Sequence, residues 1–133
     1  MAPVCPNCNA DAVAFVVPEA LRPHTPTGTT YASICRVCLT VDPLDEAPAN
    51  SESLASVSDA FPEDTEAAAG VAVLVGLLES LALHRAQIEA TVEHLEGEGV
   101  DAMLALTRLA DDPDLRPAVD VHRRVHQLGQ LLG

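Results

Sequence analysis

The chain has no lysine and no tryptophan, and of its 133 residues only one is tyrosine and two are phenylalanine. Its seven bases are all arginine, set against 20 acids, for a formal net charge of −13. A nucleic-acid coat protein or a polybasic membrane-surface binder needs clustered Lys and Arg, so this composition excludes both. It also argues against an exposed active site built on catalytic lysines. The start, Met1-Ala2-Pro3-Val4-Cys5, carries neither a basic leader nor a long apolar stretch, and no secretory signal is read there. The longest apolar run, Ala67 to Leu78, has 12 residues and stops at Glu79, short of the ~20 that a membrane span needs. A soluble, cytoplasmic protein with no membrane partner is expected. Apolar residues still make up 48%, enough for a core, but one of Ala, Val and Leu rather than of rings. The length fits one domain or two very small ones.

Charge is unevenly spread. Residues 1–44 hold three acids and two bases, net −1, and residues 45–133 hold 17 acids and five bases, net −12. The near-neutral part contains all four cysteines, in two CxxC pairs, Cys5/Cys8 and Cys35/Cys38. In a reducing cytoplasm such pairs read as a metal site rather than as two disulfides. The break is Asp42 to Ser53, rich in Pro, Ser, Ala and acid without periodicity, which reads as a mobile acidic linker. The expected division is a metal-binding unit over 1–44, an acidic linker over 45–64 and a helical domain over 65–133.

Within the first unit, Cys5-Pro6-Asn7-Cys8-Asn9 has the two-residue spacer that lets both sulfurs of one tight turn point at a single ion. Asn9 follows the second Cys, where the chain commonly needs a positive φ and Asn is the best substitute for Gly. Ala12–Val17 reads as a strand stopped by Pro18, and Pro18–Gly28 as a loop. Thr29–Ile34 is a second, β-branched-rich strand delivering Cys35-Arg36-Val37-Cys38, with Leu39-Thr40-Val41 as a short return strand. Two CxxC turns separated by 26 residues, each joined to a strand, outline a zinc ribbon. Four thiolates around Zn²⁺ at about 2.3 Å make a closed tetrahedral structural site. So short a unit buries too little apolar area to fold alone, and metal supplies on the order of 10 kcal/mol in small zinc modules. The same ligands permit iron in a rubredoxin-like site, though such carriers are usually aromatic-rich. A thiol redox pair is the other rival, but its dithiol normally opens a helix after a strand, and here Pro3 and Pro6 flank the first pair.

The rest reads as helix. Val71, Leu74, Leu78, Leu81, Ile88, Val92 and Leu95 step by three and four, with Arg85 in one slot, predicting one helical stripe over Glu66–Leu95 that Gly97 and Gly99 end. Its first half is apolar nearly all round and should be deeply buried or held by a partner. Asp101 caps a short helix, Ala102–Ala110. Asp114 can cap a third, running to about Leu132 with Pro117 in its first turn. The fold class is therefore α+β: a small antiparallel zinc ribbon plus a helical hairpin or three-helix unit.

Other features invite sharper readings. His122 and His126 lie four apart and have the spacing of a metal pair, but Arg123 and Arg124 follow the first, so partly exposed helix histidines are expected. The two arginines should pair with nearby acids. His84-Arg85 fits a buried polar contact or an interface. Phe61, in an otherwise polar stretch, either docks the linker on the helices or anchors a short binding motif. No Ser/His/Asp order, paired catalytic carboxylates, phosphate loop or open metal position is present in the sequence, so an enzyme is not expected.

CPNC at 5–8, CRVC at 35–38, SDAFP at 58–62, ESLALHRAQIE at 79–89 and DPDLRPAVDVHRRVHQL at 112–128 together resemble a small haloarchaeal zinc-ribbon family of unknown function. The resemblance covers nearly the whole chain apart from 43–53. It implies Cys5, Cys8, Cys35 and Cys38 as Zn²⁺ ligands and no assigned activity. The missing lysine and the net −13 agree independently with a cytoplasm of molar salt. The expected function is a zinc-stabilised, non-catalytic interaction or regulatory module, with a protein partner or a second copy met through the helical half. The alternatives are a nucleic-acid-binding ribbon in transcription or translation, for which Arg22, His24 and Arg36 make too small a patch, and a redox or metal-handling protein. On this division, losing the metal should unfold residues 1–44 and leave the helical half standing.

Overall fold

The computed structural model describes residues 3–48 and 52–132. Three strands, β1 (Ala12–Val16), β2 (Tyr31–Cys35) and β3 (Val41–Leu44), form an antiparallel sheet in the order β1-β2-β3. Val13, Phe15 and Val17 alternate into the core from β1 and its continuation, as a half-buried strand requires. A 3-10 turn, Glu19–His24, bridges β1 to β2 and buries Leu21. The return strand begins at Val41 rather than at the expected Leu39, because Leu39 still belongs to the second cysteine turn and takes a φ of 61°.

The expected stripe over Glu66–Leu95 is two helices, α1 (Thr65–Leu77) and α2 (Arg85–Gly97). No Gly or Pro marks the break; two side chains replace the lost helical bonds. The Ser80 hydroxyl accepts from the Leu83 N–H at 3.2 Å, and His84 Nδ1 lies 3.3 Å from the Leu77 carbonyl at the end of α1. Because α1 is apolar on every face, its pattern carries no direction that could reveal a turn. α2 ends as expected: Gly99 takes a φ of 82°, and the Val100 N–H reaches back to the Leu95 carbonyl at 2.9 Å. α3 (Ala102–Ala110) starts on Asp101, whose side chain accepts from the Leu104 N–H. The last helix, α4 (Val121–Leu132), begins seven residues after Asp114 and not beside it. Asp114 instead gives its N–H to Asp112 in a local turn, Pro117 disfavours helix at Arg116, and Asp120 provides the cap by accepting from the Arg123 N–H.

Sheet and helices share one apolar cluster. Val13, Phe15, Val17 and Ile34 from the sheet side meet Leu74, Leu77, Ile88, Leu95 and Leu106 from the helices. Leu54, Ala60 and Phe61, from the stretch expected as linker, are buried in the same cluster. Phe61 thus docks rather than projects. Ser58 secures this segment: its hydroxyl donates to Asp112 Oδ2 at 2.6 Å and accepts from the Ala60 N–H. Residues 49–51, in the first part of the expected linker, lie outside the described residues.

Gly76 sets how close β3 comes to α1. A Cβ added there would lie 3.0 Å from Val41 Cβ and 3.2 Å from a Val41 methyl, and strand pairing holds Val41 in place. Gly76→Ala should therefore lower stability by about 1–3 kcal/mol despite Ala's better helix propensity. Gly129 has nothing within 4 Å of such a Cβ, so Gly129→Ala should raise stability by about 0.5–1 kcal/mol. Thermal melts of the two variants should move in opposite directions.

Candidate metal centre

Two turns of the same design present the four cysteines. In the first, the Cys5 N–H donates to the Ala10 carbonyl at 2.8 Å; in the second, the Cys35 N–H donates to Thr40 at 3.0 Å, the same five-residue reach. Each turn reverses at the residue after its second cysteine, Asn9 with φ 62° and Leu39 with φ 61°. The Asn was legible as a residue that tolerates this conformation. Leu39 was not, since a left-handed Leu costs about 1–2 kcal/mol; burial of its side chain in the main core offsets that cost.

The turns bring together all four predicted ligands. The Sγ atoms of Cys5, Cys8, Cys35 and Cys38 lie within 4.8 Å of one another. Cys5–Cys38 and Cys8–Cys35 are 3.5 Å apart and Cys8–Cys38 3.7 Å. These separations exclude disulfides, whose S–S bond is about 2.05 Å. A tetrahedral ion with sulfur bonds of about 2.3 Å places its ligands about 3.8 Å apart, so the observed cage fits a single ion with little adjustment. Cys5, Cys35 and Cys38 are buried, while Cys8 is exposed and marks the solvent side.

Hydrogen-bond donors surround the sulfurs. The Asn7 N–H points at Cys5 Sγ (3.3 Å), and the Val37 and Cys38 N–H groups point at Cys35 Sγ (3.3 and 3.4 Å). The Thr40 hydroxyl lies 3.1 Å from Cys38 Sγ, and the Asn7 side-chain amide 3.7 Å from it. Burial pushes the Cys35 thiol up to about 12. Burial also works to raise Cys38, but the Thr40 and Asn7 hydrogen bonds outweigh it and hold that thiol at about 6. One sulfur is thus held ready as thiolate while its neighbour keeps its proton, and a bound cation resolves the conflict by replacing the protons. Sequence reasoning missed Asn7 and Thr40 in this supporting role; their signal is a polar side chain inside the first CxxC and a hydroxyl two residues past the second.

The centre is also fastened to the helical half. The segment leading into α4 runs beside the second turn, with the Arg116 N–H on the Val37 carbonyl at 2.7 Å and the Ala118 N–H on the Cys38 carbonyl at 2.9 Å. Pro117, with no N–H to give, falls between them. From the other side Arg36 pairs with Glu52 and donates to the Ser56 carbonyl and hydroxyl.

A family model, the Family of unknown function (DUF6276), matches residues 4–132. The chain belongs to this family. No curated protein and no solved structure matches it.

Of the remaining candidates, His84 and His122 have structural partners. His122 Nε2 sits 3.1 Å from Asp111 Oδ1, and among the described residues only the four cysteines form a cluster suited to a metal. Arg124 reaches Gln127, and neither it nor Arg123 forms an ion pair with a described acid. His84 caps α1 as described. No helix of the described residues is long and apolar enough to cross a membrane.

Two outcomes follow. Cys35→Ser should lose the metal and, because the Val37 and Cys38 carbonyls hold residues 116–118 and one core spans sheet and helices, should lower the melting temperature of the helices as well as the sheet. Metal analysis and far-UV circular dichroism measure both. Thr40→Val should keep the fold but weaken metal affinity about tenfold, the usual effect of removing a supporting hydrogen bond, in a competition titration with a chromogenic chelator.

Proposed function

We propose that the protein is a non-catalytic interaction module whose four-cysteine site holds Zn²⁺ as a structural ion. The observation that carries this reading is the donor set: four sulfurs at tetrahedral spacing, three of them buried and five N–H or O–H groups aimed at them, leave no ligand position for water or substrate. Soft thiolates in that geometry select zinc over hard cations, and the scarcity of aromatics argues against a rubredoxin-like iron centre. A closed ion can neither polarise a carbonyl nor activate water, so its contribution is to fix shape. Exposed Leu83, Leu104 and Leu132 give the helical half apolar points for a partner or a second copy.

A nucleic-acid role is not favoured. Both arginines of the ribbon are engaged, Arg22 with the Val17 carbonyl and Arg36 with Glu52 and Ser56, which leaves little positive surface for phosphates. The acidity of the chain fits a salt-rich cytoplasm, where screening shortens the reach of repulsion from about 10 Å at 0.1 M to about 3 Å at 1 M.

Purified protein should contain one zinc per chain, and X-ray absorption at the zinc edge should show sulfur alone in the inner shell. Iron, or an oxygen or nitrogen ligand, overturns the reading. The tagged chain should retain a protein from nuclease-treated lysate at molar salt; retention of RNA or DNA in untreated lysate instead would favour the nucleic-acid alternative. The melting temperature should rise steadily from 0.1 to 2 M KCl, and a flat or falling curve would detach the acidity from salt.

A further inference from the structure

The two outer edges of the sheet are finished differently. Antiparallel pairing alternates residues that exchange hydrogen bonds with residues that turn their N–H and C=O outward. On β1 the bonded positions are the odd ones: the Val17 N–H donates to Thr30, and the Asp11 carbonyl accepts from the Arg36 N–H. Ala12, Ala14 and Val16 therefore face away from β2. Ala12 is taken, its N–H donating to the Pro3 carbonyl at 2.9 Å where the Pro3–Val4 segment runs alongside. Ala14 and Val16 have no backbone partner among the described residues. On β3, by contrast, the Cys35 N–H bonds the Thr40 carbonyl, so the alternation turns Pro43 outward, and that edge lacks a donor there. Among the described residues, one edge is blunted and the other is left open for two residues.

The open edge forms one wall of a groove. Around about 280 Å³, Ala14 to Val16 meet Pro48, Glu52 to Leu54 and the α1 residues Thr65, Ala68 and Ala69. Val16 is 49% exposed, among the largest exposures of any large apolar residue. The charged side chains lining the groove are Glu52, which pairs with Arg36, and Glu63, which is exposed and in no described ion pair. The backbone groups of Ala14 and Val16 repeat at about 6.8 Å, the period at which an added strand presents its own donors and acceptors.

We propose that the outer edge of β1, at Ala14 and Val16, takes an extended, basic segment of a protein partner as an added strand. This rests on the interaction-module reading and names the surface it uses. Main-chain bonds to Ala14 and Val16 supply the pairing, an apolar residue of the partner covers Val16, and its Arg or Lys meets Glu63. Charge sets the partner's sign. A second copy would bring acidic grooves together on chains of net −13, whereas a basic segment is complementary.

The test uses the zinc-loaded full chain and a synthetic peptide of alternating arginine and valine, with aspartate replacing arginine in a control. In the free chain, amide exchange by NMR should be fast at Ala14 and Val16 and slow at Phe15 and Val17. The basic peptide should slow Ala14 and Val16 by about tenfold or more, as pairing does, and the acidic control should not. Ala14→Pro removes the outward N–H without touching a β1–β2 bond and should abolish the effect. Glu63→Arg, at an exposed position that leaves folding intact, should weaken it severalfold and covers the case in which the proline variant does not fold. The inference is overturned by protection of Ala14 and Val16 in the free chain, by peptide binding that leaves these amides unchanged, or by no binding. It is also overturned by slowing that tracks chain concentration with a doubled mass, which assigns the edge to a second copy. If Ala14→Pro captures the same lysate protein as the parent, this inference fails and the module reading stands; a zinc-free or catalytic protein fails the reading itself.

Discussion

The sulfur cage is where the two ends of the sheet are decided. β1 leaves the first cysteine turn at Ala12, and β2 runs into the second at Cys35, and these two residues face each other in the sheet. Holding four Sγ atoms within 4.8 Å therefore sets the β1–β2 register as well as the turns. A slip by one residue would turn Val13, Phe15 and Val17 out of the core and pull the cysteines apart together. The same turns export backbone groups: the Val37 and Cys38 carbonyls order residues 116–118, and so the approach to α4. A chain with two Phe and no Trp has little bulk to impose such order by packing alone.

Acidic residues do more than give the surface its charge. Asp64, Asp101 and Asp120 each accept an N–H at the start of a helix. Each places a negative charge where the helix dipole is positive, a stabilisation of roughly 0.5–2 kcal/mol per cap. Asp112 accepts from Ser58 and from the Asp114 N–H, which holds its carboxyl below the usual carboxylate range. By linkage this favours the fold at neutral pH, and the contribution fades as acid protonates the group. Part of the acid excess is thus explained by turns and caps that any solvent would reward.

The cysteine cluster, the α+β class, the α2 terminus and the α3 cap were legible because each depends on short-range chemistry: a two-residue Cys spacer, a Gly at positive φ, an Asp three residues before a free N–H. What was not legible depends on residues distant in sequence. The break between α1 and α2 is made by Ser80 and His84 against a helix whose burial erases its own period. The late start of α4 follows from carbonyls more than 70 residues upstream competing for the donors of Arg116 and Ala118. Leu39 takes a left-handed conformation that its residue type disfavours, and only equivalence with Asn9 across the two turns identifies it. Phe61 was ambiguous because a lone aromatic in a polar stretch is chemically the same object whether it docks inward or outward.

The first cysteine turn has a reach beyond the sulfur cage itself. The Pro3–Val4 segment that occupies Ala12 on the outer edge of β1 belongs to the first cysteine turn, held there by the Cys5–Ala10 bond and by the sulfur of Cys5 in the cage. The first cysteine turn therefore determines, among the described residues, where the covered part of that edge ends and the open part begins. On the far side of the sheet, Pro43 closes the opposite edge by sequence alone, without help from a cysteine turn. On the proposed reading, an ion in that cage would act on recognition by fixing which backbone groups of β1 a partner finds available. Its occupancy would then bear on the position of Ala14 and Val16 as well as on the stability of the chain.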